Sequence, residues 1–103
     1  MNIQKVRKEV DSFLNPLGYK ARVEKEIEGI SIEPDTRVTG TKRKDYFDGM
    51  RIMIWNDGGI EVAEYQAGKK EDELWIYKET KSLKVALKDL IKGNKRKPIK
   101  VWK

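Results

Sequence analysis

Lys81, Lys84, Lys88 and Lys92 recur at helical spacing, and Lys95-Arg96-Lys97 follows them directly. Residues three and four apart share one helix face, so these cations can form a single surface that meets a row of phosphates. Lys42-Arg43-Lys44 is a second cationic run that can extend it. Such a set supports polyanion contact rather than bond making. Lysines late in a helix also suit the negative end of its dipole, which gives Lys88 and Lys92 a structural reason. Lys81 and Lys84 lie at the opposite end, where cations are mildly unfavourable, so something outside the helix is expected to use them.

The inventory for catalysis is thin. The chain has no His and no Cys, which removes the commonest general base, the commonest metal donors and any redox chemistry at sulfur. Ser12, Ser31 and Ser82 have no base in a recognisable pattern, and Glu71-Asp72-Glu73 reads as a solvated turn. Gly40-Thr41-Lys42 lacks the full spacing of a phosphate loop. No catalytic residue, metal or cofactor is expected, and the chain reads as non-enzymatic.

A second candidate surface is aromatic. Tyr65, Trp75, Tyr77 and Trp102 fall in or beside strand-like runs. If they share a sheet face, that face is a platform for bases or for a protein partner.

Charge is distributed unevenly. From Lys78 onward nine lysines and Arg96 stand against Glu79 and Asp89, a net of +8 that leaves −2 for the rest of this +6 chain. A one-ended excess of this kind points to a polyanionic partner. The 103 residues suit one domain. Neither a signal-peptide core nor a membrane-spanning apolar run is present in the sequence, so a soluble cytoplasmic protein without membrane association is expected.

These surfaces need elements to carry them. Ile3, Val6, Val10, Phe13, Leu14 and Leu17 mark the inner face of an N-terminal helix that Asn15-Pro16 should end. Tyr19 to Glu33 alternates, but its apolar parity changes at Gly29. The preferred reading is one bent strand with a bulge, the alternative a tight turn between two strands. Pro34 to Asp48 has no apolar period and reads as a long loop.

Arg51–Trp55 and Ile60–Tyr65 flank Asn56-Asp57-Gly58-Gly59, a strong hairpin signal. A two-residue turn at Asp57-Gly58 would pair Trp55 with Ile60, Met53 with Val62 and Arg51 with Glu64. Leu74–Tyr77 follows as another strand, Tyr65 facing Trp75 and Ala63 facing Tyr77. In that register Met53, Trp55, Ile60, Val62, Leu74 and Ile76 lie under the helices. Met50, Ile52, Ile54, Tyr65, Trp75 and Tyr77 form the other face.

Thr80 or Ser82 should cap a last helix with the buried stripe Leu83, Ala86, Leu87, Leu90 and Ile91, stopped by Gly93-Asn94. The expected fold is therefore α+β: an antiparallel sheet of about four strands in the order α-β-β-β-β-α, both helices on one face. Residues 1–93 form the compact domain. Residues 94–103 form a basic tail that docks on the sheet through Ile99, Val101 and Trp102.

The element order is shared with double-stranded-RNA-binding domains, which track backbone and shape. The last helix lacks their alanine-rich pattern, so the likeness is one of topology. The expected function is nucleic-acid binding, to DNA or RNA, through Lys81, Lys84, Lys88, Lys92, Lys95, Arg96, Lys97, Lys42, Arg43 and Lys44. The alternative is a protein-binding module, such as a phage or mobile-element accessory inhibitor or adaptor acting on a host protein or nucleoprotein. An acidic protein surface would attract the same lysines, and the aromatic face could pair two copies of the chain.

Overall fold

The computed structural model describes residues 2–34, 49–66 and 72–102. Helix α1 (Ile3–Leu14) begins at Asn2, whose side-chain oxygen accepts from the Gln4 and Lys5 amides at 2.8 and 3.3 Å. Such a cap satisfies amides that the first helical turn leaves without partners. Val6, Val10 and Leu14 are buried along one face. Asn15–Leu17 tightens into a single 3-10 turn at Pro16, and Leu17 lies outside the core, 46% exposed.

Among the described residues six antiparallel strands follow: β1 (Ala21–Glu26), β2 (Gly29–Pro34), β3 (Met50–Trp55), β4 (Ile60–Gln66), β5 (Glu73–Thr80) and, last, β6 (Lys100–Trp102). Helix α2 (Leu83–Leu90) lies between β5 and β6. The sheet order is β1-β2-β3-β4-β5-β6, a meander. This is an α+β fold with an antiparallel sheet, of six strands rather than about four.

One extra strand comes from the segment expected to be a single bent strand. Glu26 pairs with Gly29 and Val23 with Ile32, so Ile27-Glu28 is a two-residue turn. The parity change at Gly29 is the mark of that turn: the paired positions add to an odd number, so odd residues of β1 meet even residues of β2. The other extra strand is β6, formed by the tail, which pairs Trp102 with Leu74 and Val101 with Trp75.

The β3–β4 register differs by one residue from the expected one. The Gly58 amide donates to the Trp55 carbonyl at 2.9 Å, and the Trp55 amide donates to the Gly59 carbonyl at 2.8 Å. The loop therefore has three residues, Asn56-Asp57-Gly58. A type I′ turn would require positive φ at Asp57 as well as Gly58. Here Gly58 takes a positive φ (92°), and the Asp57 carboxylate accepts from the Gly59 amide at 2.8 Å. Ile54 consequently pairs with Ile60, Ile52 with Val62 and Arg51 with Ala63.

That shift reassigns both faces. Met50, Ile52, Ile54, Ile60 and Val62 pack together under the helices with Val23, Ile30 and Ile32. Leu83, Ala86, Leu87 and Leu90 of α2 and Val6, Val10 and Leu14 of α1 close the same core. The β4–β5 pairing carries a further irregularity between Val62 and Ala63, where Val62 pairs with Lys78 but Ala63 with Ile76. Tyr77 is the extra residue, and its ring joins the core. Trp75 packs against that core as well. The expected Tyr65–Trp75 and Ala63–Tyr77 pairs are not formed, because the bulge moves the register by one.

Gly29 is a contact that no side chain can replace. A Cβ there would stand 1.8 Å from the Ile54 carbonyl oxygen. Gly29→Ala must push β2 from β3 and should cost at least ~2 kcal/mol, read as a lower urea midpoint at unchanged slope. An unchanged midpoint would mean that the two strands can part at that corner freely.

Candidate functional site

Ser82 starts α2: its hydroxyl accepts from the Val85 amide at 3.2 Å, and the Thr80 hydroxyl accepts from the Ser82 amide at 3.1 Å. With Leu83, Ala86, Leu87 and Leu90 turned inward, Lys84, Val85 and Lys88 face solvent. Lys81 precedes the helix and Lys92 follows it, both exposed. No carboxylate lies within ion-pair distance of Lys81, Lys84 or Lys88 among the described residues. Lys92 is held loosely, its Nζ 3.9 Å from Asp89. Lys84 borders a shallow depression between the helices with Glu9, Ser12, Phe13 and Leu87. Lys81 stands nearer the sheet, beside Glu79, Glu61 and Trp55.

Arg96 is used by the fold. Its guanidinium grips the buried Asp89 carboxylate through two hydrogen bonds of 2.9 and 2.7 Å. It also donates to the carbonyls of Asp89 at 3.0 Å and Gly93 at 2.8 Å, and its Cζ lies 4.8 Å from the centre of the Tyr77 ring. Fork-to-fork pairing of this kind is strong and directional. Lys95 and Lys97 are exposed. Lys100 lies 3.2 Å from Glu79. Lys42, Arg43 and Lys44 lie outside the described residues, as does the loop that was expected to carry them.

Below Arg96 lies a second buried carboxylate, Glu64, only 5% exposed. It accepts from the Tyr77 hydroxyl at 2.9 Å, from Gln66 at 2.5 Å and from Asn94 at 2.5 Å. Burial, followed by the hydrogen bond to Glu64 and the charge of that carboxylate, pushes the Tyr77 phenol up to about 12, with Arg96 opposing. The chain Asp89–Arg96–Tyr77–Glu64–Asn94 fastens the segment after α2 to the sheet. Its members satisfy one another, as buried polar groups must.

The four aromatic candidates therefore part company. Tyr77 is in the core and Trp75 is half-buried on the helix side. Tyr65 and Trp102 lie on the opposite, open sheet face, where each pairs with Leu74 from either side. The adjoining row on that face reads Arg51, Ala63, Ile76 and Lys100. Arg51 lies 5.7 Å from the centre of the Tyr65 ring, and Lys100 lies 5.4 Å from that of Trp102. Met53 and Trp55, expected under the helices, are on this face too, with the Trp55 indole donating to Glu61 at 2.6 Å. Arg51 and Lys100 were not among the sequence candidates. Alternation within Lys100-Val101-Trp102 was the available signal for Lys100, and a three-residue hairpin loop would have shown Arg51.

Among the described residues no group of acidic side chains could hold a metal ion, and no helix is long and apolar enough to cross a membrane. Comparison with protein-family models, with curated proteins and with solved structures finds no match.

The phenol's raised value sets a pH window. The folded state favours neutral Tyr77, so its contribution is complete below the ordinary tyrosine value near 10 and is lost as pH rises towards 12. The stability difference between the parent chain and Tyr77→Phe, measured by urea unfolding, should shrink across that interval. Asp89→Ala should cost about 3 kcal/mol at neutral pH, since it leaves the Arg96 guanidinium largely buried without its anion. A loss below ~0.5 kcal/mol would place that pair outside the forces holding the tail.

Proposed function

We propose that this chain is a non-catalytic nucleic-acid-binding protein that contacts the phosphate backbone through the outer strip of α2. Lys81, Lys84 and Lys88 form its centre, with Lys92, Lys95 and Lys97 extending it along the following segment. The observation that carries this reading is that Lys84 and Lys88 on α2, and Lys81 just before it, are exposed, with no carboxylate within ion-pair distance among the described residues. Phosphate affinity comes largely from counterions released when such cations dock.

The early helical cations strengthen the reading. The first turn of α2 contains no acidic residue, and Lys84 sits there against the positive end of the dipole. Helix stability gives no reason for that choice, whereas a phosphate partner does. Arg96 is left out, because Asp89 already occupies its donors.

A salt titration tests this directly. The logarithm of affinity for a nucleic acid should fall with the logarithm of salt at a slope of about −3 to −4, three or four phosphate contacts' worth. Lys84→Glu with Lys88→Glu should lower affinity at least ~30-fold at low salt and flatten the slope by about 2. Absence of binding to duplex or single strands at ~50 mM salt would sink the proposal.

A further inference from the structure

Among the described residues, neither α1 nor α2 packs on the second face of the sheet. Its two halves differ. Over β1 and β2 it carries Arg22, Glu24, Glu26 and Glu33, with Arg22 paired to both Glu24 and Glu33 at 3.0 and 2.9 Å. Over β4 to β6 it carries the row Tyr65–Leu74–Trp102 beside the row Ala63–Ile76–Lys100, with Glu61 and Glu79 in the row beyond the bulge. Tyr65 and Trp102 are 58% and 56% exposed, which is high for rings within a sheet.

From this half of the sheet we infer that Tyr65 and Trp102 are stacking positions for unpaired bases, and that the ligand is a single-stranded nucleic acid. The inference rests on the nucleic-acid reading above and narrows its substrate. Two strand spacings place the rings roughly 10 Å apart, a distance an extended strand crosses in a few nucleotides. Each ring has its own cation, Arg51 at 5.7 Å and Lys100 at 5.4 Å from the ring centres. A base stacked on either ring brings its phosphate close to that charge. Aromatic faces flanked by cations accept any base, since every base has a π-face.

A protein partner is served less well by this geometry. Leu74, between the rings, is only partly exposed, and in the row beside them Ala63 and Ile76 are buried, 3% and 1% exposed, so the apolar centre that a stable protein interface needs is small. The carboxylates over β1 and β2 would repel phosphates, and Glu79 beside Lys100 marks the limit at the other end of β5. The strand is thereby confined to β4–β6. The segment leading into β6 carries Lys95 and Lys97, both exposed.

The test is fluorescence anisotropy with a ~12-nucleotide labelled oligo(dT) and with the duplex of the same length, a size suited to one small domain. Tyr65→Ala and Trp102→Ala should each weaken single-strand binding by about 5- to 100-fold and leave the duplex within about twofold. Trp102→Phe, which keeps a ring on β6, should retain most of the single-strand affinity. Unchanged melting temperatures certify that both alanine variants keep the fold.

Single-strand affinity within about twofold of the parent in both alanine variants would overturn the inference, as would parallel losses for both ligands; the face would then be left to a protein partner. Loss of both ligands in Lys84→Glu/Lys88→Glu, with the ring variants unaffected, overturns the platform while supporting the lysine strip. Loss confined to the ring variants supports the platform and overturns the strip. No binding by the parent chain at ~50 mM salt overturns both.

Discussion

The hydrogen bond from the Gly58 amide to the Trp55 carbonyl, 2.9 Å long, decides which side chains meet across the centre of the sheet. Side chains alternate between faces along a strand, so a one-residue change of register sends every one of them to the other side. With the three-residue loop in place, Ile52 and Ile54 join Ile60 and Val62 beneath the helices. Arg51 and Tyr65 are turned together to the opposite surface. The loop settles in this form because one glycine supplies its left-handed residue and Asp57 caps the amide that follows.

A second constraint acts at the other end of the chain. Two buried carboxylates, Asp89 and Glu64, are each surrounded by donors from the segment after α2 or from β5. Leaving either without partners would cost several kcal/mol. They therefore hold Asn94 and Arg96 in place, and with them the entry to β6. The basic quarter of the chain is divided by this into two kinds of cation. Arg96 serves the buried Asp89, whereas the lysines along α2 remain turned to solvent and Lys100 stays exposed beside Glu79. Charge counted along the sequence cannot make that division, because it depends on where Asp89 is buried.

Much of the architecture is written in local patterns. The stripes Val6–Val10–Leu14 and Leu83–Ala86–Leu87–Leu90 are buried as their spacing implies, Ser82 caps α2, and Lys100–Trp102 adds a strand at the edge. What the sequence left open was register. Ile27-Glu28 carries none of the usual turn residues, so the β1–β2 hairpin showed only as a change of parity at Gly29. Asp57-Gly58 fits both a two- and a three-residue loop, and the choice rests on side-chain capping that no spacing encodes. The bulge at Tyr77 is a tertiary event, made favourable by the Glu64 carboxylate beneath the ring's hydroxyl. For these reasons Tyr65 and Trp102 were legible as surface aromatics, while Trp75 and Tyr77 were not legible as core.

The meander has a consequence for the border of the sheet. Every strand lies beside its predecessor in the chain, and the β1–β2, β3–β4 and β4–β5 pairings close short loops at small entropic cost. The exception at the far end is β6, which α2 separates from β5 in the chain. Without it Leu74, Trp75 and Ile76 would stand on a bare border of the sheet, its most adhesive part. The three residues Lys100–Trp102 thus act as a seal along that border.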